Sequence, residues 1–192
     1  MTYLILGLII FIGVHSIRMV AGDWRTRTLL RLGDGTWKGL YSLFSLAGLA
    51  LIAWGFDAAR EHPLVLWAPP SGMRHVASLL MVISFVLLAA AYVPGNRIKT
   101  RLHHPMVLGV KVWALAHLLS NGMLAHVLLF GALLIWAVLN FRSARQRDRV
   151  NGTVYAVGNT RATVIAVTLG LAAWAIFAFG LHGLLIGVKP LG

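Results

Sequence analysis

Six apolar segments, near residues 2–20, 38–56, 75–93, 105–121, 123–141 and 163–186, constrain this chain more than any other feature. Each is long enough to cover a hydrocarbon core of about 30 Å, which takes roughly 20 residues of helix. In lipid a single segment satisfies its own backbone hydrogen bonds only as a helix. The composition agrees: 59% hydrophobic residues, 11% charged and a mean hydropathy of +0.81 are too apolar for an ordinary soluble domain. The expected fold is therefore all-α: a polytopic membrane helix bundle of about six transmembrane helices, forming one integral-membrane domain over 1–192.

Punctuation residues mark the joints. Pro94-Gly95 stops the third segment, and His104-Pro105 opens the fourth with proline in the first turn, where no N–H partner is required. Ser120-Asn121-Gly122 is a tight polar turn that predicts an antiparallel hairpin between the fourth and fifth segments. Residues 18–38 read as a short amphipathic piece on the membrane surface, and 63–70, with Pro63, Pro69 and Pro70, as an extended interfacial loop. The stretch 151–162 is polar and turn-rich. The first segment has neither a basic leader nor a small-residue cleavage site, so it reads as a retained helix. Gly13, Gly48, Gly109 and Gly131 are expected where helices approach closely.

The net charge of +12 sits in the connections. Alternate loops carry thirteen Lys and Arg on one side against three on the other (Arg60, Arg74 and Lys189), with Lys111 inside a segment. This asymmetry predicts that the arginine-rich loops face the cytoplasm, with both termini periplasmic. Charge distributed in this way points to membrane lipid as a partner and not to nucleic acid.

Function is sought among the polar groups in the apolar spans. An ionisable side chain in hydrocarbon is costly unless something satisfies it. His15, in Phe11-Ile12-Gly13-Val14-His15-Ser16, and His117, in Trp113-Ala114-Leu115-Ala116-His117, are the deepest of eight histidines. Taken alone, each is as well explained by a helix–helix hydrogen bond as by ligation of a metal or haem iron. Their expected depths differ by roughly 10–15 Å at 1.5 Å per residue, too far for a direct hydrogen bond. His62, His75, His103 and His104 fall at the interfaces, where solvated histidine is the plain reading, and His182 lies near the end of the last span. His126 is placed to cap the fifth span or bond across the hairpin. Arg18, one turn after His15, shares its helix face, and Trp113 shares the face of His117. Arg18 also serves as a topology anchor, and Trp113 as ordinary packing.

Other chemistries lack their residues. There is no cysteine, so no disulfide, thiolate metal site, Fe–S cluster or Cys nucleophile forms. The five acidic residues, Asp23, Asp34, Asp57, Glu61 and Asp148, all avoid the centres of the spans, which argues against an acidic proton relay or a cation transporter. No Walker loop, dinucleotide fingerprint or HExxH motif is present.

The stretches Gly13-Val14-His15-Ser16-Ile17-Arg18 and Trp37-Lys38-Gly39-Leu40-Tyr41 resemble the opening of NnrU proteins. Ala91-Tyr92-Val93-Pro94-Gly95, His104-Pro105-Met106, Leu108-Gly109-Val110-Lys111-Val112-Trp113 and Ala116-His117-Leu118-Leu119-Ser120-Asn121-Gly122 continue the likeness, and Phe141-Arg142-Ser143-Ala144-Arg145 closes it. The resemblance implies a bacterial inner-membrane protein tied genetically to nitrite and nitric oxide reduction. It also implies kinship with the plant and cyanobacterial 15-cis-zeta-carotene isomerase, which holds haem b between two histidines. That enzyme has a His-Ser pair in an early span and a His-Pro followed 13 residues later by a second His; His15, His104 and His117 match. The resemblance thus implies haem b with His15 and His117 as axial ligands to its iron, and gives Arg18 and Trp113 a place beside it. Two departures, Ile17 after His15-Ser16 and His103 in place of an arginine before His104-Pro105, weaken the case for carotene isomerisation itself.

Three functions compete. One is a haem b membrane protein with isomerase-like or electron-transfer chemistry, acting on a hydrophobic small molecule or alongside denitrification proteins. The second is a haem-free accessory to nitric oxide reductase. The third is a membrane methyltransferase, whose Arg-His-Pro pattern is partly matched, with Asp148 as its one available acidic residue.

Overall fold

A computed structural model describes residues 1–191. Helices make up most of the described chain: α1 (Thr2–Val20), α2 (Gly22–Glu61), α3 (Met73–Tyr92), α4 (Arg97–Leu102), α5 (Pro105–Ser120), α6 (Leu124–Val150) and α7 (Thr160–Ile176). A π-helical turn over Phe177–Leu181 carries α7 into α8 (His182–Ile186). Five helices are long and apolar enough to cross a membrane. The fourth expected span, α5, is an apolar helix of 16 residues, about 24 Å long and shorter than these five. Local chemistry sets its limits: proline occupies its first turn, and the backbone turns extended at Asn121.

Residues 18–38 depart most from the loop expected there. Helix resumes at Gly22 and runs to Glu61, broken at Gly33, whose φ of 78° and ψ of 160° no other residue type adopts as cheaply. The expected amphipathic piece is thus an eleven-residue helix over 22–32 that leads through the Gly33 kink into the spanning segment. Residues 63–70 form no helix, as their prolines require.

By contact the chain divides into two compact units, each assembled from separated segments: 1–67 with 123–136, and 68–122 with 137–192. In the first unit α1 packs on the 34–61 part of α2 across glycines. A Cβ on Gly7 would lie 2.6 Å from the Ile52 amide nitrogen, one on Gly48 2.9 Å from that of Phe11, and one on Gly55 would collide with the backbone of Leu4. This apolar pair of helices gains the contact because backbones meet without side chains between them. The 63–70 strap is pinned by the amide of Leu124 donating to the Leu64 carbonyl at 2.8 Å.

In the second unit α3 takes α5 and α7 on its sides. Gly109 approaches Ser84 and Leu88, and the buried Ser84 hydroxyl donates to the Gly109 carbonyl at 2.8 Å. Gly170 approaches Val86. Gly13 and Gly131, expected at close approaches, have open space around them. The sequence shows that a residue is small but not which helix face meets a neighbour. At the polar end of this unit, fully buried Asn96 caps α4 by accepting from the Lys99 amide, and Asn159 caps α7 by accepting from that of Ala162.

Candidate functional sites

His15 lies in the first unit within a cage of rings: Phe11 stacks on it at 4.1 Å between centroids, Tyr41 lies at 5.2 Å and Trp136 meets it edge-on at 6.0 Å. Its Nδ1 is 2.7 Å from the Phe11 carbonyl oxygen. A carbonyl only accepts, so Nδ1 carries the proton and the ring's lone pair resides on Nε2. The buried indole Nε1 of Trp136 has no hydrogen-bond partner among the described residues. A buried donor left unmade is costly, so this position is suited to an acceptor from a bound molecule.

His117, in the second unit, repeats the arrangement. Its Nδ1 donates to the Trp113 carbonyl at 2.9 Å, again fixing the tautomer with the lone pair on Nε2. The Trp113 ring lies 5.1 Å from the imidazole, so the expected shared face is realised. His182 makes a similar bond to the Val188 carbonyl at 2.6 Å, near the end of the chain. Arg18 is exposed, and its guanidinium makes no hydrogen bond or ion pair among the described residues. Lys111 turns its ammonium over the Phe141 ring, 5.7 Å from the centroid. His126 does not act as a cap: its Nδ1 is buried without a hydrogen bond, and the ring packs against Phe56 and Phe130.

A second cluster lies where α4, α5 and the end of α6 meet in the second unit, and here the reading of His103 and His104 as solvated interfacial residues fails. His104 donates from Nε2 to Asp148 Oδ2 at 2.7 Å, and the Tyr155 hydroxyl donates to the same oxygen at 3.0 Å. His103 stacks on Tyr155 at 4.1 Å and accepts at Nδ1 from Arg145. That bond makes His103 a neutral acceptor, and its 3.7 Å approach to Asp148 is too long for a hydrogen bond. The His103 backbone adopts φ 67°, a left-handed conformation that costs a non-glycine residue energy and persists only where its surroundings enforce it. Asp148 lies beyond the apolar stretch of α6. Burial pushes its carboxyl up, but the bonds from Tyr155 and His104 outweigh this and hold it below the ordinary carboxylate range. Burial, and then the same bond to Asp148, push the Tyr155 phenol up. The sequence did carry one signal for this cluster: Asp148 is the lone acid in the run 142–149, a run otherwise rich in arginine. Among the described residues no group of three His, Asp or Glu side chains is arranged to hold a metal ion.

Long apolar helices, half-buried imidazoles within them and basic connections define the class: an all-α, polytopic, multi-pass membrane protein. The NnrU protein family model matches residues 3–190, and the chain belongs to that family. Neither a curated protein nor a solved structure matches it.

Proposed function

We propose that this NnrU-family chain is a haem b-binding membrane protein of the bacterial inner membrane, in which His15 and His117 would hold the haem iron. The pairing of the two histidines comes from the likeness to the isomerase. The observation that carries the reading is the tautomer of each: in both, Nδ1–H is donated to the carbonyl four residues earlier, so Nε2 presents the lone pair. A second-shell acceptor on the far nitrogen is how metal-ligating histidines are usually oriented and made more basic. The donor set fits haem iron, since neutral imidazoles bind it and no thiolate competes.

When bound, haem iron supplies a reversible one-electron couple whose potential its axial ligands and surroundings tune. The protein's residues do the rest. Phe11, Tyr41 and Trp136 keep water from His15, Trp113 packs against His117, and Trp136 Nε1 offers a hydrogen bond to an acceptor on the bound molecule. Arg18 is a cation one turn from His15, suited to a propionate. The chemistry proposed is isomerase-like or electron-transferring, on a hydrophobic small molecule or with denitrification proteins.

The test is the absorption spectrum of the purified protein. A Soret band with six-coordinate, low-spin features is expected. Its absence after expression with adequate haem would favour the accessory reading. The proposed orientation, both termini periplasmic, is tested by reporter fusions within 142–161, which should be active only as cytoplasmic reporters.

A further inference from the structure

Beside the His104–Asp148 pair, a pocket of about 220 Å³ opens in the second unit, lined by His103, Arg145, Asp148, Arg149, Gly152 and Thr153. Its lining carries two arginines against one aspartate, a cationic balance suited to an anion. Asp148 is the one acid present, and its Oδ2 is occupied by the bonds from His104 and Tyr155. Arg145 is held in place by donating to His103. Arg149 makes no hydrogen bond or ion pair among the described residues, and the Thr153 hydroxyl likewise has no partner there. Two guanidiniums thus face a single, already bonded carboxylate, and one of them keeps its whole planar fork of donors available. That fork matches the oxygens of a phosphate. Gly152, at φ 59°, turns the chain out of α6 and puts no side chain across the mouth.

The surroundings add a second observation. Val150 and Val154, next in sequence to the lining residues Arg149 and Thr153, are 77% and 91% exposed. Apolar side chains this exposed beside clustered arginines form a surface that suits the boundary between headgroups and acyl chains. The position on α6 agrees. Arg145 and Arg149 follow Phe141, at the end of the apolar stretch, by about 6 and 12 Å of helix, which brings their side chains to the headgroup layer.

We infer that this pocket binds a phosphate group, clamped by Arg145 and Arg149 with the Thr153 hydroxyl as a neutral donor. Lipid headgroup and free inorganic phosphate share this chemistry, and the exposed valines favour the lipid. The site is independent of the haem reading, because no residue is common to both.

The experiment uses the full chain in detergent and measures binding of phosphatidylglycerol, of a phosphate-free galactolipid and of inorganic phosphate. Adducts are counted by native mass spectrometry for the lipids, and binding is followed by thermal shift at constant ionic strength for phosphate. Wild type should bind phosphatidylglycerol saturably and the galactolipid at least tenfold less well. Arg149→Gln, an exposed change, should weaken binding about tenfold, the effect of losing one charge-assisted contact. Thr153→Val should weaken it less, and Arg142→Gln, on the same helix but outside the pocket, should leave it unchanged. Saturable binding of inorganic phosphate with the same dependence on Arg149 also supports the site and assigns the free ion as a ligand. Equal binding of the galactolipid, no saturable binding of either phosphate probe, or an Arg149→Gln protein that binds like wild type would overturn the inference.

Discussion

The His15 cage of the first unit and the His103–His104 cluster of the second place histidine in opposite settings. In the first, His15 sits among Phe11, Tyr41 and Trp136, its one hydrogen bond is local, to its own helix, and no charged group is bonded to it. In the second, His103 and His104 are bound into an ionic network with Arg145, Asp148 and Tyr155, whose members lie 42 to 44 residues apart along the chain across the histidine–Arg145 and histidine–Asp148 bonds. The same side chain is held in one fixed tautomer by its own helix in one place and bound into a charged scaffold in the other. A local bond to the preceding turn fixes a tautomer at no cost to the helix. A network bond fixes the relative position of elements, so its loss is felt as structure before it is felt as chemistry.

Removing the imidazoles tests the contrast most severely. His15→Ala and His117→Ala should each abolish haem retention or leave a five-coordinate spectrum, while His62→Ala should leave the spectrum intact. An unchanged spectrum in either of the first two variants would remove that residue from the site. The next effect concerns packing in the first unit. Gly55→Ala drives a methyl into the backbone of Leu4, where no side chain can give way, and should cost roughly 1–3 kcal/mol in reversible unfolding. Gly13→Ala, with open space around it, should be neutral or slightly stabilising through helix propensity. Equal effects of the two would contradict the close α1–α2 contact.

Asp148→Asn probes the network. It removes the charge that His104 and Tyr155 donate to and should destabilise the second unit by about 1–3 kcal/mol, since the Asp148 side chain is only 16% exposed. The pH dependence has a definite sign. The carboxyl is held below its ordinary value in the folded chain, so its contribution is fully present above the unfolded value of about 3.9 and is lost as pH falls through the folded one. Thermal midpoints measured downward from neutral pH should show this loss in wild type and lack that component in Asp148→Asn. The smallest effect belongs to Arg18→Leu, expected to lower haem retention modestly or shift the potential, as loss of a propionate partner would. If both stay unchanged, Arg18 is a topology anchor alone.

What the sequence determined by itself is local. Apolar runs specify helices because lipid offers the backbone no other partner, and Pro94-Gly95, Pro105 and Asn121 mark the ends because proline, glycine and asparagine act on their own turns. The face shared by Trp113 and His117 was legible for the same reason, since a separation of four residues is a property of one helix. Only the tertiary structure decided that Gly7, Gly55 and Gly170 are the close approaches while Gly13 and Gly131 are open, and that Asp148 gathers His104 and Tyr155. Periodicity tells which residues share a face but not what that face meets. Pairing across 44 residues depends on how helices pack; the lone acid at 148 marks one partner but does not say which residues it meets.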